Sequence, residues 1–303
     1  MDPLLAGGLA ATALVAIAAR RTALPHASRA RRLAPLLAVL VLALAWLSPL
    51  QTLGAHYLLT AHLVQVTLVM GLVPPLLLLG LPDAWRAPVP ARLRAVGGVL
   101  VHPVTAMIAV NVVFFGWHLT AAYDASLQHE SLYALQQLSL LAVSLMFWWP
   151  IVAPCGQRRV LSRWGTLGYI LVATIPQTFG GITVALAKHT LYATYDVAPR
   201  VLGLSPLTDQ QVAGACIALV SKVALFTAFG IIFMRMLNEV PGDDSDDGGG
   251  GGGRRRPGAG TPSPQPSGSV PWLADINSGR TVPEPMPRRV RIRVPAGAGS
   301  RRG

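Results

Sequence analysis

The sequence predicts an all-α membrane protein: a polytopic bundle of seven transmembrane helices with its N-terminus outside and a disordered cytoplasmic C-terminal tail. Three observations predict this fold. Hydrophobic residues make up 52% of the 303 residues and charged residues only 13%, whereas soluble domains carry about 25% charged residues. Seven apolar runs are each long enough to cross a bilayer. The basic residues cluster in alternate connections between those runs.

The seven runs each contain about 18 or more mostly apolar residues, the length that crosses about 30 Å of hydrocarbon at 1.5 Å per residue. Prolines at Pro74, Pro75, Pro150 and Pro176 predict kinks, which a bundle tolerates when neighbouring helices satisfy the freed carbonyls. The predicted spans are Pro3 to Ala19, Leu33 to Leu50, His56 to Leu81, Val96 to Trp117, Leu132 to Ala153, Thr166 to Ala187 and Val212 to Met236.

Loop charge predicts the orientation through the positive-inside rule. The first, third and fifth connections together carry eleven arginines, whereas the other three carry only Lys188 and Arg200. The N-terminus is therefore predicted outside and the C-terminus inside. The arginines are Arg20, Arg21, Arg29, Arg31, Arg32, Arg86, Arg92, Arg94, Arg158, Arg159 and Arg163.

Composition divides the chain into a transmembrane domain over residues 1–239 and a tail over residues 240–303. The tail combines a cluster of four aspartates (Asp243, Asp244, Asp246 and Asp247), a glycine run from Gly248 to Gly253 and ten arginines, a composition that cannot bury enough apolar surface to fold. Its arginines could contact anionic lipid headgroups or remain solvated. The net charge of +12 thus indicates membrane topology, and we expect membrane lipid but no nucleic acid as a partner.

Enzymatic signatures are missing from the sequence. Cys155 and Cys216 form neither a disulfide framework nor a Cys-x-x-Cys motif. No phosphate-binding glycine loop, serine nucleophile elbow or HExxH zinc motif is present. We therefore expect a protein without enzymatic activity.

The predicted topology brings five of the seven histidines to the outer ends of spans: His56, His62, His118, His129 and His189. Imidazoles that converge from several helices would form a copper or zinc site at the outer face. Histidines also lie at membrane interfaces without binding metal. His62 is the strongest single candidate, because it lies about 10 Å inside its predicted span, where a polar side chain is costly.

Other polar residues accompany these histidines inside the predicted spans. Gln65 shares the helical face of His62. The fifth span opens with His129 and Glu130 and continues with Tyr133, Gln136 and Gln137 at spacings of three and four. This stripe is predicted to face protein or a cavity rather than lipid, either for function or for interhelical hydrogen bonds.

Lys222 lies near the middle of the last predicted span, where a lysine costs about 2.5–3.5 kcal/mol. A retinal Schiff base is one hypothesis for a seven-helix protein, but Ala218 replaces an acid one turn earlier and the third span has no acidic counter-ion. The alternative is a structural lysine that donates to carbonyls or to Asn111.

Several motifs, in order, resemble the bacterial cytochrome c oxidase assembly factors of the CtaG (caa-type oxidase) class. They cover roughly Leu33 to Met236. The matching stretches are HYLLTAHLVQVTLVMGLVPPLLLLGLP (56–82), HP (102–103), GWHLTAAYDASLQHE (116–130), FWWPIVAP (147–154) and LYATYDVAPRVLGLSPLTDQQVAG (191–214).

The resemblance implies help in maturing the copper centres of a haem-copper oxidase at the outer membrane face, with oxidase subunits as partners in a bacterial plasma membrane. His62, Gln65, His118, His129, Asp209 and Gln210 match the family pattern. Val66 replaces a family histidine, and Gln136-Gln137 replaces a Glu-His pair. A remaining copper site would use His62, His118 and His129, with His56 or Met70 as a fourth ligand.

Two alternatives stay open. A copper transporter would need polar groups across the bilayer, from His62 through Lys222 and Asn111 toward His102. A scaffold that has lost metal binding would follow from Val66 and Gln137.

Overall fold

The computed structural model describes residues 2–22, 28–81, 91–154 and 160–238. All regular structure in these ranges is helical, which agrees with the predicted fold class. The helices are α1 (Pro3–Thr22), α2 (Arg29–Leu47), α3 (Pro49–His56), α4 (Leu59–Thr67), α5 (Val73–Gly80), α6 (Ala91–Leu100), α7 (Pro103–Trp117), α8 (Thr120–Gln128), α9 (Glu130–Val152), α10 (Arg163–Ala185), α11 (Ala193–Asp196), α12 (Pro206–Leu219) and α13 (Val223–Asn238).

All seven predicted runs lie mainly on helices, but fewer than seven of the described helices are long and apolar enough to cross a membrane. Among the described residues, five helical segments are long and apolar enough, and α7 with α8 would be a sixth if the two form one bent span. Pro3–Ala19 in α1 is a shorter apolar helix. The protein is therefore a membrane protein with five to six helices able to span, while seven spans and the orientation stay predictions.

The third predicted span is interrupted twice, near its start and in its middle. Tyr57 and Leu58 separate α3 from α4, and a π-helical turn over Leu68–Leu72 joins α4 to α5. Pro74 has no N–H to donate to the carbonyl of Met70 four residues earlier. The Trp148 indole on α9 donates to that carbonyl instead, at 3.0 Å. A neighbouring helix thus satisfies the freed carbonyl, as predicted for a proline kink.

The fourth predicted span, Val96 to Trp117, is not one continuous helix. It divides at Val101 and His102 into α6 and α7, because the residue before Pro103 disfavours the helical conformation. At its other end α7 meets α8 at an angle of 69°. His118 lies at this corner, as the residue that follows α7.

Glycines allow α10 and α12 to pack closely. A Cβ atom built on Gly214 would lie 2.4 Å from the Ala185 nitrogen, and one on Gly181 would lie 2.7 Å from the Gly214 carbonyl oxygen. Small residues permit such close backbone contact between membrane helices. This contact holds α12, and therefore Asp209 and Gln210, against the rest of the bundle.

Some predictions concern residues outside the described ranges. They are the disordered tail over 240–303, Cys155, and the loop arginines Arg86, Arg158 and Arg159.

Candidate functional site

The site begins at the N-terminus of α4, which a side chain from another helix caps. Leu58, the residue before α4, supplies no side-chain acceptor. The buried carboxylate of Asp209 on α12 accepts hydrogen bonds from the backbone N–H groups of Leu59 at 2.6 Å and Thr60 at 3.2 Å. It stabilises the positive end of the helix dipole and pairs two N–H groups that have no partner within α4.

His62 lies in the first turn of α4 and is fully buried. The break before α4 therefore places it nearer the helix end than the single continuous span predicted. Three rings surround its imidazole: Tyr123 at 4.9 Å, His118 at 5.9 Å and Tyr133 at 6.2 Å between ring centroids. The α3 backbone packs against it, since a Cβ on Gly54 would lie 2.9 Å from the Cα of His62.

The orientation of His118 determines which of its nitrogens carries the proton. Its Nδ1 lies 2.6 Å from the carbonyl oxygen of Phe114, and its ring stacks on the Phe114 ring at 4.3 Å. A carbonyl oxygen can only accept, so Nδ1 carries the proton and donates. The lone pair on Nε2 is then available, which is the arrangement found in metal-ligating histidines.

The hydroxyls of the surrounding tyrosines already donate to other partners. Tyr133 donates to the Gln65 carbonyl oxygen at 2.6 Å, and the Gln65 amide donates to the Ala45 carbonyl at 2.8 Å. Tyr195 donates to the Gly54 carbonyl, so the 2.7 Å contact between the two hydroxyls requires Tyr123 to donate to Tyr195. These hydroxyls are therefore not free to donate to His62.

The connection between α10 and α12 closes the cluster. The Tyr192 hydroxyl donates to the backbone carbonyl of His118 at 2.9 Å. Burial, and then the charge of Asp124, raise the pKa of Tyr192 to about 12. Burial also raises the pKa of Tyr195 well above its ordinary value. Both hydroxyls therefore stay protonated donors at neutral pH.

Unpaired buried polar atoms concentrate at this end of the bundle. Seven buried side-chain nitrogen or oxygen atoms in the described residues lack a hydrogen-bond partner, and six of them belong to His62, His118, Gln136 and Gln137. For His62 both ring nitrogens are unpaired. Since buried polar groups without partners are costly, such a concentration favours a bound metal ion or water.

The other proposed ligands lie apart from this pair. His56 ends α3 and is exposed, and His129 and Glu130 are exposed where α8 meets α9. Met70 follows His62 by about 12 Å along the helix. Within the described ranges, no three His, Cys, Asp or Glu side chains lie close enough to hold one metal ion. His56 and His129 lie at helix ends, where they are exposed, and therefore do not contact the buried pair of His62 and His118.

Two further predicted residues make local structural bonds. Gln210 accepts from the Leu191 backbone N–H at 2.7 Å and donates to the His189 carbonyl at 3.1 Å, which holds the connection between α10 and α12. Lys222 is buried and donates to the Ile217 carbonyl at 2.8 Å and the Ser221 hydroxyl at 2.7 Å. Lys222 lies in the 3-10 turn between α12 and α13 and bonds to a carbonyl near the end of α12, as the structural hypothesis predicts for carbonyl acceptors.

A sequence model of the cytochrome c oxidase caa3 assembly factor family matches residues 11–239 of this chain. The chain belongs to the cytochrome c oxidase caa3 assembly factors. The predicted resemblance is thereby confirmed. No curated protein and no solved structure matches the chain. The match begins within α1, includes α2 to α13 and leaves the predicted tail outside the family region.

Where this caa3 assembly factor departs from the resemblance, Val66 is an apolar core residue, whereas Gln136 and Gln137 are fully buried polar side chains. Val66 is buried among Leu63 and Phe114. The Gln137 carbonyl oxygen accepts from the Trp46 indole at 3.2 Å. Sequence reasoning did not single out Tyr192, Tyr195 or Gly54. The stretch from Leu191 to Gly214, which carries the resemblance, was the available signal for the two tyrosines.

Proposed function

We propose that this caa3 assembly factor aids copper-centre maturation of a haem-copper oxidase, and that His62 and His118 hold the copper ion as cargo. The observation that supports this most is the pairing of two buried imidazoles, with three unpartnered ring nitrogens between them, in a cluster whose hydroxyls are already paired. His129 and His56 are excluded from this proposed site because they are exposed at helix ends.

The spacing of the two rings fits one shared ion. Two metal–nitrogen bonds of about 2 Å and the two ring radii together span roughly 6 Å between ring centres, and the observed separation is 5.9 Å. Imidazole is a good ligand for copper. Two neutral donors in a buried site favour a low-charge ion, which suits Cu(I).

Each ligand is held by a different part of the fold. Asp209 fixes the start of α4 and therefore His62. The Phe114 carbonyl and Tyr192 fix the ring and backbone of His118. Movement of the connection that carries Tyr192 would expose the pair to an oxidase subunit. Two ligands, rather than a closed set of four, leave coordination positions through which a recipient site could take the ion.

We further propose that the seven apolar runs span a bacterial plasma membrane with the histidine cluster at its outer face. Loop charge supports this orientation. The ends of α3 and α7 and the starts of α4, α8, α9 and α12 lie around the cluster, as alternating helix directions require.

The proposal is tested by replacing His62 and His118 with glutamine, which keeps a polar side chain but removes the imidazole. Copper is measured per protein after purification in mild detergent under reducing conditions. We expect about one copper in the wild-type protein and in the exposed control H129Q, and none in the H62Q/H118Q variant. Normal gel-filtration elution would show that the variant is folded.

The cellular arm measures oxidase activity in membranes at matched abundance of this protein. We expect H62Q and H118Q each to lower activity and H129Q to leave it unchanged. Normal oxidase activity in the folded H62Q/H118Q variant would overturn the copper-holding site.

A scaffold that holds oxidase subunits without binding metal is the second candidate. Val66 and Gln137 favour it, because Val66 packs among apolar side chains and the Gln137 side-chain oxygen accepts from Trp46. Its signature would be no copper in the wild-type protein, with the oxidase still failing to mature when the protein is absent. A copper transporter has less support, because Lys222 donates to a carbonyl near the end of α12 and Asn111 donates to the Met107 carbonyl.

A further inference from the structure

A cavity of about 50 Å³ lies inside the bundle, between α4, α7, α9, α10 and the turn that joins α12 to α13. Its wall combines apolar side chains, among them Val110, Phe114 and Phe147, with several polar ones. Polar groups inside a protein need hydrogen-bond partners, so the polar part of the wall decides what the cavity can hold. The polar side chains are Thr67, Ser144, Gln177 and Ser221.

The hydroxyls in the wall offer lone pairs rather than protons. Thr67, Ser144 and Ser221 each donate their hydroxyl proton to the backbone carbonyl four residues earlier. A hydroxyl oxygen that donates in this way keeps lone pairs for other donors. The three hydroxyls can therefore accept hydrogen bonds from a molecule in the cavity, but they have no proton left for an anion.

Gln177 adds both donors and an acceptor to the wall. It is partly buried on α10, and its side chain makes no hydrogen bond to any of the described residues. An amide has two N–H donors and an oxygen with two lone pairs. A molecule that pairs with Gln177 and with the wall hydroxyls must therefore both accept and donate.

The cavity wall also contacts a buried charge. Lys222 is 3% exposed and lies near the middle of the apolar segment Pro206–Asn238. Its ammonium donates to the Ser221 hydroxyl of the wall at 2.7 Å and to the Ile217 carbonyl at 2.8 Å. Among the residues that the structure describes, no carboxylate pairs with it. Because an ammonium has three N–H groups, two neutral acceptors leave one N–H to be paired and the charge uncompensated.

We propose that this cavity binds a small cluster of water molecules, which links the Gln177 amide with the wall hydroxyls and solvates the Lys222 ammonium. A buried water needs about 10–15 Å³ and a few polar partners, and the cavity offers both to several molecules. A metal cation is opposed by the charge of Lys222, and an anion would meet lone pairs instead of protons. Water both donates and accepts, so it pairs with the whole polar wall.

The side chain of Met70, which lines the cavity, reports the water. A short X-ray pulse on the full-length protein in detergent splits water into hydroxyl radicals, and mass spectrometry then measures methionine oxidation. Met107 and Met146 are the matched controls: all three methionines are partly buried against the same apolar cluster, but of the three only Met70 is part of the cavity wall. We expect Met70 to be oxidised about fivefold faster than either control. Equal rates for the three would overturn the proposal.

A triple variant removes polar groups from the wall while keeping the size of the cavity. T67V, S144A and Q177L together leave side chains of similar volume, and an apolar cavity stays dry. Oxidation of Met70 should fall to within about twofold of the two control methionines. Unchanged oxidation of Met70 in the triple variant, with normal gel-filtration elution, would overturn the proposal.

The control for the triple variant is T183V/T227V. Both hydroxyls bond to a carbonyl four residues earlier, as those of the wall do, but they are exposed and lie outside the cavity wall. Met70 in this variant should be oxidised as in the wild type. A fall as large as that in the triple variant would show that loss of the bonds to the helix, and not of water, lowers oxidation, and the proposal would fail.

Equilibrium unfolding tests the link to Lys222. Without water the ammonium loses a partner, so the triple variant should lower the folding equilibrium constant about tenfold, the effect of one hydrogen bond to a charged group. In a K222M background there is no ammonium to solvate, and the same three replacements should lower the constant less than about threefold. Equal effects in the two backgrounds would overturn the assignment of the water cluster to Lys222.

Discussion

Replacing Asp209 with asparagine tests how the fold positions His62. The carboxylate is 3% exposed and accepts from two backbone N–H groups of α4, at 2.6 and 3.2 Å. An asparagine offers one acceptor oxygen, and its NH2 group would face the second N–H. One buried N–H would then lose its partner, and the remaining bond would lose its charge.

The magnitude follows from those two losses. A buried donor without a partner costs about 1–3 kcal/mol, and hydrogen bonds to charged groups contribute about 1.5–3 kcal/mol, of which a neutral replacement keeps part. We expect D209N to lower the free energy of unfolding by about 2–4 kcal/mol. The matched control is D196N, because Asp196 is exposed and accepts from the Thr190 hydroxyl; it should change stability by less than about 0.5 kcal/mol.

The assay is equilibrium unfolding in mixed detergent micelles, followed by tryptophan fluorescence. Copper content of the folded D209N protein is the second measurement, and we expect it to fall because His62 lies in the helical turn that Asp209 caps. The reasoning is refuted if D209N is as stable as D196N and retains its copper.

Two further predictions concern the same cluster. G54A should lower the free energy of unfolding by about 1–3 kcal/mol, because the added Cβ would lie 2.9 Å from backbone atoms of His62; G7A, with no atom within 4 Å of the added Cβ, is the control. Thermal stability should be constant at neutral pH and fall between about pH 10 and 12, since a raised tyrosine pKa stabilises the fold below the unfolded pKa and this contribution is lost as pH rises through the folded pKa. In a pH series, the melting temperature of the Y192F variant should fall less steeply over this range than that of the wild type. An equally steep fall would contradict the raised pKa of Tyr192.

Hydropathy and loop charge predicted the helical fold because each helix must cover about 30 Å of hydrocarbon with apolar residues. Local chemistry also predicted the kink at Pro74, where Trp148 satisfies the Met70 carbonyl. The break at Tyr57 and Leu58 could not be predicted in this way, since neither residue is a proline or a glycine. Its cause is tertiary: the cap that starts α4 comes from Asp209, which is 150 residues away.

The sequence predicted that histidines form the candidate site but not which of them lie together. Position along the predicted spans grouped His62 and His118 with His56 and His129. The sequence indicates how deep a residue lies in its span but not which way its side chain points. The corner at His118 and the break before α4 bring two of the four together. Tyr192 and Tyr195, which hold the cluster from the connection before α12, lie outside any span and had no hydropathy signal.

The central claim is that one copper ion is held by His62 and His118. X-ray absorption at the copper edge of the copper-loaded full-length protein tests it most directly. The account predicts a site with two imidazole nitrogens and no sulfur, which is lost in H62Q/H118Q and unchanged in H129Q. A sulfur-containing site, or the same spectrum in H62Q/H118Q, would contradict it.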